Sequence, residues 1–207
     1  MSGPLLFGAP VLLCALLGSA APSGADAPAI APRGFAVVAT PGGWARYQVD
    51  GNDGPKPMVV RVGKAEADRG EAGRWIVFEF EVTGIGRVEV HLLVVGKVFS
   101  AQSVRRARVL VAGEAQPEAK WQVPPADGVF ERRLVRKGPR KIGNRSLTVE
   151  EYEISGGEGV GWSPDVPGVG LVYVQGIEEM HLVAFGVGGD PWFGEGAGKD
   201  QKSRRSR

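Results

Sequence analysis

The side chains able to do chemistry in this 207-residue chain are few, and they do not stand in a catalytic arrangement. His91 and His181 are its two histidines, and each falls in a β-like run. A zinc site wants three or four ligands, so each reads as a sheet residue rather than a ligand or a base. Ser163 precedes Pro164-Asp165 but lacks the strand-turn-helix setting of a nucleophile elbow. A serine and an aspartate in a proline-rich turn bond the nearby backbone instead. Of Glu150, Glu151 and Glu153, a regular strand places only Glu151 and Glu153 on one face, with nothing to hold a substrate beside them. Gly156-Gly157-Glu158-Gly159 lacks the lysine of a phosphate loop. The expectation is a protein with no catalytic residues, no metal ligands and no cofactor. There remain the tryptophans Trp44, Trp75, Trp121, Trp162 and Trp192. Indoles often sit where a core or groove meets its rim. Trp44, Tyr47 and Trp162 are candidates for the mouth of an apolar cavity, with Phe78, Phe80 and Leu92 deeper in it.

The elements that must position these residues are strands. Ile76, Phe78, Phe80 and Val82 alternate with Glu79 and Glu81, and Val88, Val90, Leu92 and Val94 alternate with Glu89 and His91. A period of two excludes a helix, and the short Gly84-Ile85-Gly86 link favours antiparallel pairing. Trp44–Asp50 and Met58–Gly63, joined by a Gly/Asn/Asp/Pro turn cluster, read as a hairpin. Lys97–Ser103 reads as one or two helical turns, Val104–Val111 as a strand, and Gly113–Asp127 as loop. Val129–Lys137 reads as a basic sheet edge, protected by its charge from edge-to-edge association. Arg145–Ile154 makes a further strand, with a bulge expected at Glu150-Glu151. The Trp162–Val174 stretch, kinked by Pro164 and Pro167, joins the last strands and holds Trp162 at the rim of the sheet. The fold class is all-β with minor helix: a single curved antiparallel sheet, a half-barrel or open barrel.

Leu5–Leu17 is apolar and is followed by Gly18-Ser19-Ala20-Ala21, the pattern of an export signal over residues 1–21. The run is too short to span a bilayer and Pro10 interrupts it. An Ala/Pro-rich spacer over 22–41, a β domain over 42–187 and a mobile basic tail over 188–207 complete the expected layout. Cys14, the sole cysteine, lies in the signal, and Leu13 before it argues against a lipid anchor. A domain with no cysteine pair must be stabilised by packing. The net charge is +2, with the excess concentrated in Lys199, Lys202, Arg204, Arg205 and Arg207. That tail allows peripheral contact with an anionic membrane. The near-neutral body excludes nucleic acid as a partner.

Two motifs carry a resemblance. Gly42-Gly43-Trp44-Ala45-Arg46-Tyr47 and Trp162-Ser163-Pro164-Asp165-Val166-Pro167-Gly168-Val169-Gly170-Leu171-Val172 resemble a group of uncharacterised exported bacterial envelope β proteins. These are similar in layout to lipoprotein-localisation carriers, whose sheet curls into a half-barrel. The resemblance implies a periplasmic or extracellular protein binding an apolar or amphipathic envelope ligand in the hollow of its sheet. The alternative is an envelope interaction module that has a side-chain-filled core and grips a protein partner through a sheet edge.

Overall fold

A computed structural model describes residues 34–51, 54–82, 84–100, 102–115, 132–154, 157–176 and 179–192. The stretch read as an export signal, most of that read as a spacer, Trp121 and the basic end of the tail lie outside them. The described residues form one eleven-stranded antiparallel sheet, ordered β6-β5-β4-β3-β2-β1-β11-β10-β9-β8-β7. It is not closed into a barrel, and no helix occurs among the described residues. The first half is a meander: β1 (Gly43–Gly51), β2 (Gly54–Asp68), β3 (Glu71–Val82), β4 (Gly86–Val95), β5 (Val104–Val111) and the short β6 (Glu114–Ala115). The second half runs β7 (Arg132–Ile142), β8 (Arg145–Ile154), β9 (Glu158–Trp162), β10 (Leu171–Gln175) and β11 (Glu179–Val187). Pairing of β1 with β11 joins the halves, so the first and last strands lie in the middle of the sheet.

The expected alternation holds on the inner face. Ile76, Phe78 and Val82 of β3 meet Val88, Val90 and Leu92 of β4, all buried in one core with Tyr47, Val60 and Val109. That face is covered from two distant places. Gly34–Thr40 crosses it as a strap, bonding Lys97 and Phe99 at one end and Gly168 at the other. The corner from Ser163 to Gly170 folds inward, burying Val166 and Val169. Gly168 has φ +88° and its Cα faces Val60, so a side chain there would be both strained and in collision.

Three local readings change. Lys97–Ser103 forms no helix. It pairs through Val98 with the strap and closes a turn in which Ser100 and Ser103 each accept the other's backbone N–H, at 2.8 and 3.1 Å. The irregularity expected at Glu150-Glu151 lies on the partner strand, where Val135 is the extra residue between Leu134 and Arg136. The Trp162–Val174 stretch does join β9 to β10, but its corner covers the hollow as well as holding Trp162. The folded region also extends past 42–187, through the strap on one side and Gly188–Trp192 on the other.

Candidate functional site

The aromatic residues singled out from sequence separate onto the two faces of the sheet. Trp44 and Tyr47 are three apart in one strand and therefore point oppositely. Tyr47 is buried on the inner face with Phe78 and Leu92, and its hydroxyl donates to the Leu171 carbonyl at 3.0 Å. Burial pushes that phenol far above the ordinary tyrosine range, so it serves as a neutral donor. Phe80 is half-buried on the same face. Trp162 packs against Phe35 of the strap at 6.5 Å between ring centres, and Tyr152 meets the same phenylalanine edge-on at 5.2 Å. Phe99 does likewise to Phe78 at 6.4 Å. Tyr47, Phe78, Phe80 and Leu92 thus face the hollow and Trp44 does not, and the strap and the corner occupy it. Ser163 is fully buried, and its hydroxyl accepts the Asp165 backbone N–H at 3.3 Å, which is turn chemistry.

The outer face of β1–β5 holds what alternation alone does not reveal. Glu79 points away from the apolar face but is fully buried instead of solvated. Arg61 and Arg87 each pair with its carboxylate, and the Trp192 indole donates to it at 2.9 Å. The Arg87 guanidinium lies 5.0 Å over the Trp192 ring, and Arg46 holds the Trp192 carbonyl at 2.7 Å. Burying a carboxylate is costly unless it is paired and hydrogen-bonded, and here three groups from three elements meet that cost. Beside this lattice, the Trp75 indole donates to Glu66 at 2.7 Å, and Arg106 pairs with the same carboxylate at 2.5 Å. The indole bond and then Arg106 hold the Glu66 carboxyl below its usual range. His91 lies 2.9 Å from Glu89 and packs edge-on against Trp75. The sequence signal for this lattice was faint: acidic residues opposite an apolar face, and a tryptophan in what read as tail.

At the β7 edge the surface is of another kind. Arg132, Arg133, Arg136, Lys137, Arg140 and Lys141 are exposed along one strand that carries no carboxylate. Leu134 and Val135, at the bulge, are more than half exposed. Among the described residues no strand pairs with the far side of β7. Lys137 and, after it, the Tyr152 hydroxyl hold the Glu150 carboxyl below its usual range from the neighbouring strand.

Asp50, Glu179 and His181, on adjacent β1 and β11, bring one possible ligand atom each within 4.8 Å of the others. All three are at least partly exposed, and Gln48 donates to Asp50 at 3.0 Å. Three such atoms could bind a divalent cation weakly, a grouping that the spacing in the sequence did not suggest.

No known family model matches the chain, and no curated protein matches it. Among solved structures, the crystal structure of MucB is similar at 15% identity, covering 79% of this chain and 57% of that one, with a TM-score of 0.33. The chain thus spans a little over half the length of MucB.

Proposed function

We propose that this is a non-enzymatic, exported envelope protein acting as an interaction module. Its core is filled with its own side chains, and it holds a protein partner through the β7 edge of its sheet. The observation that carries this reading is β7 itself: a strand with one unpaired side, a row of cations and an exposed Leu-Val bulge. An extended segment added to a sheet edge gains backbone hydrogen bonds for affinity and side-chain contacts for specificity. The cations of β7 select an acidic segment. The filled hollow supports the reading from the other side, because an apolar ligand there would first have to displace Phe35 and the corner. The export signal read from residues 1–21 gives the address.

The test uses the full chain recovered from the envelope of an expressing cell. A labelled peptide of about ten residues alternating valine and glutamate, the length of a strand, is titrated by fluorescence anisotropy. Saturable binding that is lost in Val135→Pro, with the sheet signal in circular dichroism unchanged, supports the edge. Failure of the peptide to bind, together with stoichiometric uptake of a fluorescent fatty acid, replaces this reading with a ligand in the hollow.

A further inference from the structure

The outer face carries a second feature, independent of β7. One rung of the sheet runs Trp44–Arg61–Val77–His91–Arg108 across β1 to β5, with all five side chains on the outer face. Over it lies a depression of about 470 Å³, within the usual size range of small-molecule sites. At the β1/β11 end it is rimmed by Gly42, Gly43, Gly188 and Gly189, where the Gly188 N–H donates to the Gly42 carbonyl.

The charged side chains around it are all cations. Arg61, Lys64, His91 and Arg108 line the depression, and no carboxylate does. Arg61 has its charge matched from outside it by the buried Glu79, and His91 lies 2.9 Å from Glu89. Arg108 and Lys64 make no close ion pair among the described residues, while the Lys64 charge acts on the neighbouring Glu66 carboxylate. The Arg108 guanidinium is stacked 4.9 Å over the Trp75 ring, which fixes its plane while leaving its donors free. Lys64 owes its position to a bulge. The β2–β3 register slips between Val62 and Ala65, so Gly63 and Lys64 together oppose Trp75. Bulges re-aim side chains, and this one turns a cation toward the depression. Gly63 relieves crowding there, since a Cβ would come within 3.1 Å of the Trp75 Cβ.

We infer that this depression is a binding site for a small organic anion bearing a phosphate or carboxylate group. Arg108 supplies a planar fork of donors, and Lys64 supplies a mobile point charge. Trp75, almost wholly buried, forms an apolar floor on which that charge pairing is less screened than in water.

Quenching of tryptophan fluorescence in the full chain, titrated with inorganic phosphate and separately with citrate at constant ionic strength, tests the site. A saturable change with either probe is expected, and the tighter probe assigns the anion class. Arg108→Ala should weaken it by about tenfold or more, as the loss of a charge-assisted bond does. Lys64→Ala, at an exposed position where the fold is not at risk, should weaken it severalfold. Arg133→Ala, on β7, should leave it unchanged. Absence of saturation with both probes up to about 20 mM overturns the inference, since even millimolar sites would fill. So does an equal loss in Arg133→Ala, which would mark general charge screening. Because β7 is not involved, peptide binding at the edge can fail without affecting this result.

Discussion

The two faces of the β1–β5 sheet are written by the same two-residue alternation and finished by opposite chemistry. Inside, Phe78, Val90 and Leu92 meet other apolar groups brought by the strap and the corner. Outside, Glu79 is buried just as completely, under Arg61, Arg87 and Trp192. The inner face gains from any apolar cover, whereas the outer face tolerates its cover only because each polar group finds a partner. Packing errors on the two faces should therefore cost differently. An inner truncation leaves a void, while an outer one leaves an unpaired charge or re-admits water.

Four measurements sharpen that contrast. Phe78→Ala should cost the most, about 3–5 kcal/mol in urea unfolding, because the ring is fully buried and a cavity remains. A cost below ~1.5 kcal/mol would mean that the inner face is loosely packed and open after all. Glu79→Ala should cost about 2–3 kcal/mol, less than the 3–5 of a pair buried on both sides, because Arg61 and Arg87 still reach water. If it proved neutral, the outer lattice would be an ordinary solvated surface.

Trp192→Ala removes the lid from that carboxylate along with one charge-assisted bond. A loss of about 1.5–2 kcal/mol is expected, with faster amide exchange beginning at Gly188 rather than in the core. Unchanged exchange would separate the tail from the sheet. The smallest effect concerns Glu66. Its folded-state carboxyl titrates below the unfolded one, so its contribution is present above the ordinary value of 4.5 and fades as pH falls through the folded value. Trp75→Phe, which deletes the first cause of that depression, should move the Glu66 carboxyl signal in NMR titration back toward its ordinary value. An unmoved signal would assign the depression to Arg106 alone.

Much of the fold was legible because it rests on local pattern. The hairpins β1–β2 and β3–β4 follow from alternation and from short links at glycines, and the charged edge at β7 follows from its own composition. The bulge was missed by one strand, because Glu150-Glu151 breaks the pattern in β8 while the extra residue that absorbs the slip is Val135 in β7. Sequence marks where an alternation fails, but not which of two paired strands makes room. The candidate site was less legible. Trp44 and Tyr47 read as neighbours at one mouth, yet odd spacing in a strand sends them to opposite faces.

By itself, then, the sequence determined strand identity and the inward set of apolar residues, since each follows from residue type and a period of two. Tertiary structure decided the rest. It paired β1 with β11, laid Phe35 and the corner into the hollow, and brought Trp192 over Glu79. It also brought Lys64, at a bulge, to the depression that Arg108 lines. These are contacts between segments far apart in the chain. No local preference encodes them, because their stability exists only when both partners are already in place.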